Sequence, residues 1–116
     1  MPTFYHVTDR ENVEPILRDG LLGGWGDDGF GIYLYSDLYD ARSYAAGNGW
    51  DGDLQDPVIL EIEADNGEVY PITVDPGWPN PEDYENVHVR EMDPDDAGAW
   101  KPLRISLLKN SPSPEI

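Results

Sequence analysis

Few side chains in this sequence are equipped for catalysis. There are two histidines, His6 between Tyr5 and Val7 and His88 between Val87 and Val89. There is no cysteine, which excludes thiol catalysis, disulfide frameworks and Cys-ligated zinc, and two histidines are too few for a His-rich metal site. An imidazole inside an apolar strand is commonly a hydrogen-bonded core residue, and Tyr33 and Tyr44, taken singly, read as core aromatics. Asp51, Asp53 and Asp56 resemble a calcium loop only loosely, without the glycine and the distal bidentate Glu, and read as a solvated loop. Of the nine glutamates, Glu61 and Glu63 alternate with apolar residues and should face solvent.

The elements that would carry these residues follow from patterning. Residues 3–7 are β-branched or aromatic apart from His6 and predict a buried strand. Asn12 is placed to cap a short helix with Glu14 and Pro15 in its first turn, Val13, Ile16 and Leu17 on one face, and Gly20 as its stop. Residues 20–31 hold six glycines and Trp25 and predict a mobile loop that could lie over a ligand. A strand over 31–35 should follow, then a helix capped by Ser36 with Leu38, Ala41 and Ala45 on its apolar face, ending near Gly47.

Beyond an acidic loop over 47–57, Val58, Leu60 and Ile62 alternate with Glu61 and Glu63, the signature of a half-buried strand. Residues 69–74 predict a weaker strand, the three prolines of 75–83 an irregular stretch, 87–89 a further strand, and 93–96 a turn. Leu103, Ile105 and Leu107 mark a last strand. The order implies an α+β fold with mainly antiparallel pairing, one domain over 1–109 and a frayed tail over 110–116.

Charge sets limits on partners. The 116 residues carry 24 Asp and Glu against 7 Lys and Arg, a formal net charge of −17. Binding that tracks a DNA backbone needs clustered cations, so it is disfavoured, as is adhesion to an anionic membrane. No apolar run has the length of a membrane span, and the chain opens without a basic-then-apolar leader, so a soluble, cytoplasmic protein is expected. With 39% hydrophobic residues, four Trp and seven Tyr, the chain should fold despite its charge. Such an acidic surface suits molar salt, where carboxylates stay hydrated and their repulsion is screened, or else presents carboxylates in place of DNA phosphates.

Taken together, the pieces resemble a known pattern. Tyr5-His6-Val7-Thr8 is similar to the His-x-Ser/Thr motif that opens the ADP-ribosyltransferase fold, in its diphtheria-toxin and poly(ADP-ribose) polymerase-like branch with a His-Tyr-Glu triad. The helix that follows, ending in Asp19-Gly20-Leu21, matches the element placed after that strand. Gly29-Phe30-Gly31-Ile32-Tyr33-Leu34 resembles the segment carrying the family tyrosine, and Tyr44, eleven residues on, takes the place of the second stacking tyrosine. The likeness covers about the first 46 residues.

This resemblance implies a compact fold of two small, mainly antiparallel sheets with two short helices. It also implies NAD as substrate, with Tyr33 and Tyr44 sandwiching the nicotinamide ring and gaining cation–π energy on the order of 1–2 kcal/mol per desolvated contact. His6 would hold the ribose, with Val7, Thr8 and Ser43 also at the cofactor. Glu85 would stabilise the oxocarbenium-like charge, with Glu91 the second choice. Ala41 stands where the family has a carboxamide-binding serine, a role that Ser43 or the Val7 backbone would take over. The implied activity is mono-ADP-ribosyl transfer by a small stand-alone effector, viral or toxin-type, to a protein target, one of basic character being favoured by the acidic surface. Two other readings are an acidic inhibitor or DNA mimic without catalysis, and an RNA 2′-phosphotransferase-like enzyme. The last would need phosphate-binding arginines, and those at 10, 18, 42, 90 and 104 are scattered.

Overall fold

A computed structural model describes residues 2–26, 29–47, 52, 54–65, 67–72, 86–95 and 98–108. Seven strands and two short α-helices appear among them: β1 Thr3–Asp9, α1 Val13–Asp19, β2 Gly24–Gly26, β3 Gly29–Tyr35, α2 Leu38–Ala46, β4 Pro57–Glu63, β5 Tyr70–Pro71, β6 Val87–Glu91 and β7 Arg104–Leu107. The α+β class with antiparallel pairing therefore holds. None of the described helices is long and apolar enough to cross a membrane.

Where two small sheets were expected, the described strands form one, with strand order β5-β6-β3-β1-β4-β7 and β2 paired to β3. That sheet has a narrow waist. β1 pairs with β4 over its whole length, from Thr3↔Glu63 to Asp9↔Pro57, and β3 pairs with β6 from Gly31↔Glu91 to Tyr35↔Val87. Between β1 and β3 the register holds a single pair, Tyr5↔Tyr35. Two well-paired blocks thus meet at one residue pair.

Side-chain alternation decides which residues share a face. Phe4, Ile32, Leu34 and Ile62 point to one side and form the main core with Leu21, Ala64 and Trp100, with Ile16 of α1 packed against them. On the other side Ala41 and Ala45 of α2 lie on Ile59 beside Tyr5, Val7 and Tyr35, and Tyr33 and Tyr35 also pack against Ile72, Val87 and Val89. From Pro57 to Leu60, β4 is buried on both faces, with Ile59 covered by α2 on one side, whereas β7 pairs with it only from Leu60 onward. Its alternation resumes only at Glu61.

Local departures from the sequence-based expectations have local causes. A 3₁₀ turn at Arg10–Asn12 precedes α1, and Asn12 has helical φ/ψ of −89° and −7°, so it does not cap. Its amide instead donates to Thr8 Oγ1 at 3.1 Å. Leu17 is 48% exposed, leaving Ile16 as the α1 side chain packed on the core. Gly20 ends the helix at φ 100°, where its N–H donates to the Ile16 carbonyl; a Cβ there would lie 2.7 Å from the Trp100 carbonyl oxygen.

The glycine-rich stretch expected as a mobile loop is largely tied down. Leu21 and Trp100 exchange both backbone hydrogen bonds, and β2 pairs with the start of β3. Asp37, not Ser36, caps α2 by accepting from Tyr39 N, while the Ser36 amide and hydroxyl both donate to the Asn86 carbonyl. Asp9 accepts from the amides of Gln55 and Asp56, and Arg10 pairs with Asp56 at 3.0 Å, which sets the start of β4 against the end of β1. Of the turn expected at 93–96, Pro94 and Asp95 are seen in a turn where Asp95 N donates to Asp93 Oδ1, and Asp96 lies outside the described residues. The strand expected over 69–74 is seen as Tyr70–Pro71; the irregular stretch over 75–83 and the tail over 110–116 lie outside the described residues.

Candidate active site

The waist of the sheet positions His6. One residue beyond the Tyr5↔Tyr35 pair, its side chain crosses toward β3, and Nδ1 lies 3.0 Å from the Tyr33 carbonyl oxygen. A carbonyl only accepts, so Nδ1 carries the proton and Nε2 keeps its lone pair. Burial lowers the pKa of His6 from its ordinary value, opposed in part by the bond to Tyr33, so the ring is neutral at neutral pH. The residue is therefore a fixed tautomer with one acceptor nitrogen to spare.

His6 and Thr8, two apart on β1, line one cleft of about 460 Å³ together with Asn12, Ile16, Asp19 and Leu21. Alternation along β1 puts His6 and Thr8 on one face. Asn12, read as a cap in the sequence, belongs to this cleft because it stands four residues after Thr8 and turns its amide back to it. Val7 points the other way, into the α2 core.

Tyr33 and Tyr44 also lie on the α2 face, and neither lines the His6 cleft. The link between the first motif and the second is the main chain of Tyr33, not its ring. The Tyr33 hydroxyl donates to the Gly29 carbonyl at 2.6 Å. Tyr35, two residues along the same strand face and so roughly 7 Å away, lies with its ring centroid 5.6 Å from that of Tyr44, tilted by 50°. The three tyrosines form a row, Tyr33, Tyr35, Tyr44. Sequence reading passed over Tyr35, although its period-2 spacing from Tyr33 was the available signal.

Glu85 lies outside the described residues. Glu91 is exposed at the end of β6, opposite Gly31 in the ladder. Glu61 and Glu63, expected in solvent, are half-buried on β4 beside Arg104 and Ser106 of β7. His88 is a packing residue, its ring 5.2 Å from that of Phe4.

Ser43 is exposed on α2, whereas Ala41 is fully buried against Ile59. Position 41 is therefore closed to a ligand. Restoring the family serine with Ala41→Ser should lower stability by about 1 kcal/mol, since the hydroxyl's available partner is the helix carbonyl one turn back. Thermal melting and NAD titration of the variant check this, and tighter NAD binding would put position 41 at the ligand after all. No family model, curated protein or solved structure matches this chain.

Proposed function

We propose that this chain is an NAD-dependent ADP-ribosyltransferase. In the reaction the bond between nicotinamide and ribose breaks, nicotinamide leaves with the bonding pair, and a nucleophile of the target forms the new bond to the ribose carbon and loses its proton. The observation that carries this reading is the hydrogen bond from His6 to the Tyr33 carbonyl, which couples the first motif to the second and leaves Nε2 as a neutral acceptor on a residue that lines the cleft. An acceptor suits a ribose hydroxyl, which donates.

In this reading Thr8 lies beside His6 at the ribose. Tyr33, Tyr35 and Tyr44 pack on the opposite face of the sheet, so the position of their rings does not support the nicotinamide-stacking role that the resemblance gives to Tyr33 and Tyr44. Glu85 is the carboxylate that stabilises positive charge as nicotinamide departs, with Glu91 as the alternative. The target is a protein, approached through a surface on which carboxylates outnumber cations.

The direct test is NAD titration of the full chain at low and high salt, followed by tryptophan fluorescence and thermal melting, with release of nicotinamide measured alongside. Quenching, a raised melting temperature and nicotinamide release are expected. No effect up to millimolar NAD would sink the enzyme reading and favour an acidic inhibitor, whose binding to a basic partner weakens steeply with salt.

A further inference from the structure

Thr8 is the one buried polar residue among the described residues, 8% exposed, and it stands on the same face of β1 as His6, roughly 7 Å along the strand. Burial commits such a hydroxyl to its partners, because water does not replace a hydrogen bond left unmade there. Its partner is Asn12. The 3₁₀ turn Arg10–Asn12, held by the Arg10 amide on the Asp56 carbonyl at 2.9 Å, brings the Asn12 side chain back so that Nδ2 donates to Thr8 Oγ1 at 3.1 Å. An amide N–H only donates, so it fills a lone pair of Oγ1 and turns the hydroxyl proton elsewhere. Among the described residues that proton meets no acceptor. Thr8 lines the cleft together with His6 and Asn12, so the proton is left for a ligand.

We propose that Asn12 is a positioning residue: by holding Thr8 Oγ1 it makes that hydroxyl a donor to the ligand, and the cleft then reads a vicinal diol. One hydroxyl of the diol donates to His6 Nε2, which keeps its lone pair, and the neighbouring hydroxyl accepts from Thr8. An acceptor and a donor on alternate residues of one strand face complement two adjacent groups of opposite role, and a ribose supplies both within one ring. This role rests on the NAD reading, the diol being that of the ribose whose bond to nicotinamide breaks. It adds to the site a residue that acts on the substrate through another side chain.

The test compares NAD with its 2′-deoxy and 3′-deoxy forms in that ribose, by tryptophan-fluorescence titration of the full chain. The parent should bind each deoxy form about tenfold more weakly than NAD. Thr8→Val should bind NAD about tenfold more weakly and no longer distinguish it from the form that lacks the accepting hydroxyl, whereas Thr8→Ser should keep the parent's preference. Asn12→Asp should behave as Thr8→Val, since a carboxylate captures the hydroxyl proton, and combining the two substitutions should add nothing further. Asn12 is exposed at the start of α1, where a carboxylate suits the helix N-terminus, so this variant should melt no lower than the parent. A merely structural role would leave the preference for the diol intact. If the parent binds NAD but ranks all three compounds alike, or if Asn12→Asp keeps the parent's preference, the proposal is overturned while the NAD reading stands. Binding of nicotinamide alone, weakened in the same way by Asn12→Asp, assigns the pair to the carboxamide and overturns it too. No binding of NAD to the parent takes down both.

Discussion

His6→Asn is expected to lose at least about a hundredfold in ADP-ribose transfer, the usual cost of removing a positioned acid–base or hydrogen-bonding imidazole, while keeping the fold. The asparagine amide can replace Nδ1 as donor to the Tyr33 carbonyl, but it offers nothing in the place of Nε2. His6→Ala differs: it also removes the donor to the Tyr33 carbonyl at the waist of the sheet, which should cost about 1–3 kcal/mol of stability. Transfer assays with labelled NAD and thermal melts on both variants separate the two roles of the ring. Full transfer by His6→Asn would reduce His6 to a structural donor.

The same residue sets a pH dependence. Its folded pKa lies below the unfolded value because burial disfavours the imidazolium. Below about pH 6.5 the unfolded chain therefore binds the proton that the folded chain refuses, so stability is full above that pH and falls as the pH drops toward the folded pKa. Melts between pH 7 and 5 should show this loss in the parent and less of it in His6→Asn. Equal slopes would mean that His6 is not the group responsible.

Gly31→Val should destabilise the fold by about 3 kcal/mol, at the upper end for overpacking, and lower the melting temperature by roughly 10 °C or more. A Cβ at this position would lie 2.5 Å from the Arg90 carbonyl oxygen and 2.9 Å from Val89 Cγ2. The first contact is backbone in the paired strand β6, so relief requires the β3–β6 ladder to move, and with it the strand that carries Tyr33 and Tyr35. Gly24→Ala is the control, because nothing lies within 4 Å of its Cβ position. If Gly31→Val melts with the parent, the close approach of the two strands does not matter for stability.

Patterns of near neighbours were readable without coordinates. Period-2 alternation located β4 and β7, the Leu38, Ala41 and Ala45 spacing located α2, and the glycine after Asp19 ended α1, because each is set by residues within a few positions of one another. Local chemistry misled where two local solutions competed. Asn12 could cap a helix or reach Thr8, and Ser36 or Asp37 could cap α2; the deciding partners, Thr8 and Asn86, belong to other elements.

The residue types of the candidate site, one histidine and two tyrosines at motif spacing, were also legible, as was the charge that rules against phosphate-tracking partners. Their faces were not. That the His6 ring meets the Tyr33 main chain follows from the Tyr5↔Tyr35 pair, and that position 41 is sealed follows from α2 lying on Ile59. Such contacts join residues far apart in the chain, and their register is settled by which faces bury together, a balance over the whole core that no short window of sequence contains.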